Sequence, residues 1–259
     1  IDEQFNFETI QWDDSYSWAR EFLDENRRGK APEGFMDLLD VGDLVYLSAE
    51  NDQVKLDQIP QAQSSLISFN PKTGEVLSYV GGSVFNDSQF DRVRQSYPQS
   101  GSVFKPFIYA SAFSGGYNPS SLINDAPIIF EDENLETFWR PENYSGKFYG
   151  LTTLREALVQ SINIVSIKLL REIGVKKSSE TVDNFGFGLD RLPQDLSLAL
   201  GSGNFSPAEV ARGFSVFAND GMISDIHYVS QIKDKNGDII FDHSEIDVVN
   251  ISNISAFPW

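Results

Sequence analysis

The sequence predicts an α+β chain preceded by a small β-rich segment. Three observations predict it. Two apolar runs, 65–69 and 76–80, flank the turn-forming stretch Asn70-Pro71-Lys72-Thr73-Gly74, and a second pair flanks Lys235-Asn236-Gly237; both read as hairpins. Helix start signals stand at Thr153 and Ser206, each followed three residues later by Glu, the spacing of a capping box. A third helical run opens near Ser102 and closes at the Gly115-Gly116 pair.

Taken in order, residues 1–60 form the end of a small β-rich domain or a linker, and 61–259 the larger part of a second domain. In the first, Trp12, Tyr16, Trp18, Phe22 and Leu23 punctuate an acidic stretch, and Gly29, Pro32 and Gly34 mark a loop. Val41 to Leu47 reads as a turn into a short strand, with Val54 to Ile59 as its partner. The 64–82 hairpin follows and is expected to supply outer strands packed on the helix that begins at Ser102. Residues 118–150 are rich in turn formers and read as irregular; Trp139-Arg140-Pro141-Glu142-Asn143-Tyr144 is either a loop near a cleft or cover for the core. From Thr153 the apolar residues Leu154, Ala157 and Leu158 repeat at helical spacing. Periodicity breaks at Gln160-Ser161-Ile162-Asn163 and resumes through Ile164, Val165, Ile167, Leu169 and Leu170 to Gly174. Gly201-Ser202-Gly203 reads as a turn; no Lys-Ser or Lys-Thr follows, so it is not a phosphate loop. Pro207, just inside the Ser206 cap, suits the first helical position, and this helix should run to Ala218 and stop at Asn219-Asp220-Gly221. The strands around Lys235-Asn236-Gly237 span 228–232 and 238–241, and the pattern fades after Ser244.

Composition excludes several classes. Hydrophobic residues make up 41%, enough to fill a core. The net charge of −18, from 38 acidic and 20 basic residues, opposes a nucleic-acid partner or an anionic membrane surface. With no cysteine, disulfides play no part. No run reaches the roughly 18 apolar residues of a membrane span. His227 and His243 lack a spaced set of ligands that would suggest a metal and read as surface polar residues.

Chemistry concentrates at Gly101-Ser102-Val103-Phe104-Lys105-Pro106-Phe107. Gly101 permits a sharp turn, and Pro106 falls in the first helical turn, where its missing N–H costs nothing. Ser102 and Lys105, three apart, share one face. A serine hydroxyl is a poor nucleophile until a neighbouring base takes its proton. Lysine can be that base only if its pKa is lowered, and Phe104, Phe107 and Ile108 provide apolar surroundings. The helix N-terminus adds partial positive charge where an oxyanion would form. Alone, Ser-x-x-Lys also fits a solvated lysine on a helix. Ser161-Ile162-Asn163, equally, is explained by a helix N-cap, where Ser and Asn are both favoured.

The wider stretch Asp91-Arg92-Val93-Arg94-Gln95-Ser96 through Phe107 resembles the nucleophile region of penicillin-binding transpeptidases. Ser161-x-Asn163, preceded by Thr152-Thr153-Leu154-Arg155-Glu156-Ala157-Leu158, resembles their second motif, and 198–221 resembles them again. The similarity covers about 64–242 and points to the transpeptidase domain of class A penicillin-binding proteins of the 1A type. It implies the α/β sandwich these proteins share with serine β-lactamases, preceded by an OB-like segment. It also implies a DD-transpeptidase that cross-links peptidoglycan stem peptides through an acyl-enzyme on Ser102, and that β-lactams acylate. Lys105 would be the base, Ser161 the proton relay and Asn163 the positioning amide, with Ser102 Oγ within hydrogen-bond reach of Lys105 Nζ and the Ser161 hydroxyl near it. The implied setting is the periplasmic face of the inner membrane of a bacterial envelope. The full-length protein would be anchored there by an upstream segment, with a glycosyltransferase domain and envelope regulatory partners.

The family's third motif, Lys-Thr-Gly, does not follow Asn163; Lys72-Thr73-Gly74 precedes the nucleophile and occupies a turn. The chain is therefore expected to be a fragment. Nor is there a Glu-x-x-Leu-Asn to activate a deacylating water. Two alternatives stay open: a serine β-lactamase, and a non-catalytic β-lactam-binding or scaffold protein of the envelope.

Overall fold

The computed structural model describes residues 9–24, 27–50, 53–58, 62–86, 88–132, 137–243 and 249–250. The chain divides into two compact units, Ile1–Gln63 and Ser64–Trp259.

The first unit is built on aromatic contacts. Asp13 Oδ1 accepts from Ser15 N and caps a 3-10 turn, Asp14–Trp18. That turn buries Tyr16 against Trp12 and Phe35, with ring centroids 5.4 Å apart in both cases. The Tyr16 hydroxyl accepts from Leu56 N at 3.1 Å, so the polar tip of the buried ring is satisfied. Strands β1 (Phe22–Asp24) and β2 (Arg27–Arg28) pair, as do β3 (Tyr46–Glu50) and β4 (Gln53–Asp57), both antiparallel. The second pair is the strand and partner expected there; Ile59 lies outside the described residues.

The second unit begins with the hairpin β5 (Leu66–Phe69) and β6 (Val76–Val80). Lys72-Thr73-Gly74 sits in its turn, where Gly74 takes φ +78° and Lys72 N donates to Asn70 Oδ1. A Cβ on Gly74 would lie 1.9 Å from the Asp225 carbonyl oxygen, so glycine is obligatory at this contact. The hairpin packs chiefly on the later helix 207–218, not on the Ser102 helix as expected. Next comes a 3-10 turn, Gly101–Phe104, running directly into α1 (Lys105–Ser114), with Pro106 in its first turn. Phe107, Ile108, Tyr109, Ala110 and Ala112 are fully buried around the whole circumference of α1, which makes it the central rod of the unit.

One face of α1 meets an aromatic cluster in which Phe107 lies 5.0 Å from Phe185 and 4.8 Å from Phe187, and Phe104 stacks on Phe205 at 5.6 Å. The other face meets Ile123, Leu154, Ala157, Val165 and Leu169. Those residues come from β7 (Leu122–Asp125), α2 (Leu154–Val159) and α3 (Asn163–Ile173), which lie on either side of β8 (Phe130–Asp132), β9 (Thr137–Trp139) and β10 (Gly150–Thr153). Residues 118–150, expected to be irregular, thus contain two antiparallel ladders, β7 with β10 and β8 with β9. Their strands are only three or four residues long, too short for alternation to register in a turn-rich sequence. Helix α4 (Val175–Asp183) follows α3 without a gap beyond Gly174, whose φ of +90° redirects the chain.

Helix α5 (Pro207–Ala218) starts at the expected capping box with both halves formed. Glu209 N donates to Ser206 Oγ at 3.3 Å, and Ser206 N donates to Glu209 Oε2 at 2.7 Å. It ends at Asn219-Asp220-Gly221, the last two in the left-handed region, and leads into β11 (Met222–Ile223). The hairpin β12 (Gln231–Lys233) and β13 (Ile239–Asp242) turns at Asn236-Gly237, and β14 (Val249–Asn250) pairs with β11. Among the described residues every ladder is two-stranded. His227 and His243 are not free surface residues. Both are half-buried, and their rings stack at 3.4 Å; among the described residues no cluster of three or more ligand-type side chains is placed to hold a metal.

Candidate active site

Gly101, with φ +59°, turns the chain into the Ser102 helix. The turn is gripped from outside. Gly101 N donates to Gly201 O at 2.9 Å and Ser100 N to Gly203 O at 3.0 Å. A Cβ on Gly201 would stand 2.0 Å from Gly101 O, so Gly201-Ser202-Gly203 is a close-approach turn that fixes the start of the helix. Ser102 is exposed at that start.

Lys105, one turn on, is 1% exposed, and burial pushes its pKa down to about 8. Its Nζ donates to Ser161 O at 2.7 Å, Ser161 Oγ at 3.0 Å and Asn163 Oδ1 at 2.8 Å. An ammonium has three donors, and all three are used. Among the described residues the hydrogen bonds of Lys105 Nζ go to Ser161 and Asn163, and none joins it to Ser102 Oγ. All three ammonium protons point to the second motif, which leaves none for Ser102 Oγ to accept.

The second motif is held by backbone geometry. α2 closes with Ile162 N donating to Ala157 O at 2.8 Å and Ser161 N donating to Leu158 O at 3.1 Å. This is a Schellman motif with Ser161 at the left-handed position that glycine usually fills, at φ +53°. That conformation presents the carbonyl and the hydroxyl of Ser161 to the same ammonium. The hydroxyl accepts from Lys105, so its own proton remains free to donate. Ile162, not Ser161 or Asn163, is the N-cap of α3 and offers no side-chain cap. Asn163 Nδ2 donates to Glu142 O at 2.9 Å, which turns its Oδ1 toward Lys105. Of the residues singled out from sequence, Lys105, Ser161 and Asn163 therefore meet directly, while Ser102 stands at the mouth of the same helix.

Sequence reading gave no role to Asp125, Glu142 or Asn143. Asn143 is 5% exposed and Asp125 1%; Asn143 accepts from the first turn of α3 and donates to Asp125. The available signal was the polar cluster Glu142-Asn143 after Pro141, indistinguishable in sequence from loop residues.

The penicillin-binding protein transpeptidase domain family matches residues 65–256, and the penicillin-binding protein OB-like domain matches residues 6–62. The chain belongs to the penicillin-binding protein transpeptidase family, with an N-terminal OB-like domain. It is similar to penicillin-binding protein 1A of Pseudomonas aeruginosa, 42% identical over 235 residues that make up 90% of this chain and 28% of that protein. Penicillin-binding protein 1A of Vibrio cholerae is 38% identical over 244 residues, 92% of this chain and 30% of that protein. The crystal structure of penicillin-binding protein 1A from Haemophilus influenzae superimposes with a TM-score of 0.75 at 34% identity, covering 80% of this chain and 31% of that one. The chain thus spans less than a third of the length of these relatives.

Proposed function

We propose that the chain carries the acyl-transfer site of a peptidoglycan DD-transpeptidase, with Ser102 as nucleophile, Lys105 as base, Ser161 as proton relay and Asn163 as positioning amide. The observation that carries this reading is the buried Lys105 Nζ bonded to both Ser161 and Asn163. Burial lowers the lysine pKa, while three oxygen acceptors favour its charged form, so the amine titrates near the pH at which a base is useful. Loss of one proton frees a lone pair on Nζ, which can then accept from Ser102 Oγ.

Ser102 Oγ attacks the carbonyl of the penultimate D-Ala of a stem peptide as Lys105 takes its proton. The tetrahedral oxyanion forms at the N-terminal end of the Ser102 helix, where backbone dipoles favour negative charge. The C–N bond to the terminal D-Ala breaks, and the leaving amine receives the proton from Lys105 through the Ser161 hydroxyl. An amine of a neighbouring strand attacks the ester, the C–O bond to Ser102 breaks, and the proton returns to the serine. A β-lactam follows the first half: its ring amide opens on Ser102, and the tethered amine does not depart. No step calls for a metal or an organic cofactor.

The family membership and the 1A-type relatives support a place in the bacterial cell envelope. The finer reading is the periplasmic face of the inner membrane, in a protein with a membrane anchor, an upstream glycosyltransferase domain and envelope regulatory partners. Labelling with a fluorescent penicillin tests the activity. A long-lived adduct that is lost in Ser102→Ala is expected. Rapid turnover of the label would indicate a serine β-lactamase, and no adduct a non-catalytic scaffold.

A further inference from the structure

Helix α3 begins without a cap of its own. Its N-cap is Ile162, yet the first N–H groups of a helix need acceptors. Asn143, twenty residues earlier, supplies one: its Oδ1 accepts from Asn163 N at 3.0 Å and from Ile164 N at 3.1 Å. Its Nδ2 donates to Asp125 Oδ1 at 3.0 Å, Asp125 Oδ2 at 2.9 Å and Lys147 O at 2.8 Å. Every donor and acceptor of this buried amide is satisfied, so its orientation is fixed.

Asp125 is anchored in turn. It ends β7, lies opposite Gly150 at the start of β10, and accepts from Tyr149 N at 2.9 Å. Its neighbours Asn124 and Ala126 accept from Lys168 Nζ of α3 through their carbonyl oxygens at 2.8 and 2.9 Å. The carbonyl of Glu142, next to Asn143, takes the Asn163 amide proton.

We infer that Asn143, held by Asp125, is a positioning residue that caps α3 from outside and sets Asn163 Oδ1 against Lys105 Nζ. The inference rests on the proposed function of Ser102 and Lys105. Two features separate this arrangement from a mere loop anchor. The cap falls on the backbone N–H of Asn163 itself. The adjacent carbonyl selects which end of the Asn163 amide faces the lysine; a flip would point two sets of N–H donors at each other.

The test is the second-order rate constant for penicillin acylation of the full-length protein, measured per folded molecule. Asn143→Ala is expected to slow acylation roughly 10- to 100-fold, the cost of misplacing a reacting constellation by about an ångström. Because Asn143 acts through Asn163, N143A/N163A should be no slower than N163A alone. Asn143→Asp alone faces two carboxylates and should be slow; the exchange D125N/N143D restores a donor–acceptor pair and a helix cap, and should recover most of the rate. Should N143A fail to fold, N143D and the exchange pair decide the matter. Wild-type acylation in folded N143A or N143D overturns the inference, as does an additive N143A/N163A loss or an exchange pair that regains thermal stability without regaining rate. Ser102→Ala separates the two levels: label retained there sinks the site reading, whereas label lost there with Asn143 variants behaving as wild type sinks only this inference.

Discussion

Lys105 and Ser161 are each held in an unfavourable state by the fold. For Lys105 the unfavourable element is desolvation of an ammonium, which lowers its pKa to about 8. The sign of the pH dependence follows. The free amine is the base, and its fraction rises with pH, so the acylation rate should climb about tenfold per pH unit below about 8 and level off above it. A stopped-flow profile that is flat between pH 6 and 9 would contradict this role. For Ser161 the unfavourable element is a left-handed backbone on a residue with a Cβ, worth about 1 kcal/mol. Both S161A and S161G remove the hydroxyl and should lose acylation. S161G should nonetheless be more stable than S161A by about 1 kcal/mol in chemical denaturation, because glycine removes the strain. Equal stabilities would mean that the left-handed turn is not held in solution.

At the scale of elements, α1 is the part to which the others conform. Its burial on all sides ties Lys105 to the core, and the Gly201 turn grips Gly101, just ahead of Ser102. Gly201→Ala places a Cβ against the Gly101 carbonyl at a left-handed φ. It should cost about 2–4 kcal/mol in unfolding free energy and slow acylation as well. Stability and rate both unchanged would show that the two turns do not touch in solution. These elements were legible in sequence where local chemistry is strong: the Ser206-to-Glu209 box, the Pro207 start, the Asn236-Gly237 turn and the break at 160–163 all appear as read. What was not legible depends on contacts distant in sequence. The ladder of β7 with β10 joins short strands about 25 residues apart, and the cap of α3 comes from Asn143. Three-residue spacing places Ser102 and Lys105 on one face. The spacing cannot reveal that Ser161 and Asn163 occupy all the lysine donors first.

For the whole molecule, charge matters more than any single pair. A net −18 on 259 residues repels itself in the compact state, and screening relieves that repulsion. Melting temperature should therefore rise by a few degrees between low and physiological salt, as differential scanning fluorimetry would register; a fall would mean that attractive pairs outweigh the excess of acid. One pair sits at a joint. Arg191 bridges to Glu209 of the α5 capping box while its guanidinium lies 5.0 Å from the Phe205 ring centroid, so the start of α5 is tied to the aromatic core beside α1. The account as a whole rests on which hydroxyl becomes acylated. Peptide mapping by mass spectrometry after reaction of the full-length protein with a penicillin answers it directly. One added penicilloyl group on the peptide containing Ser102, absent in Ser102→Ala, is the predicted result; an adduct on another residue, or one that survives the substitution, would contradict it.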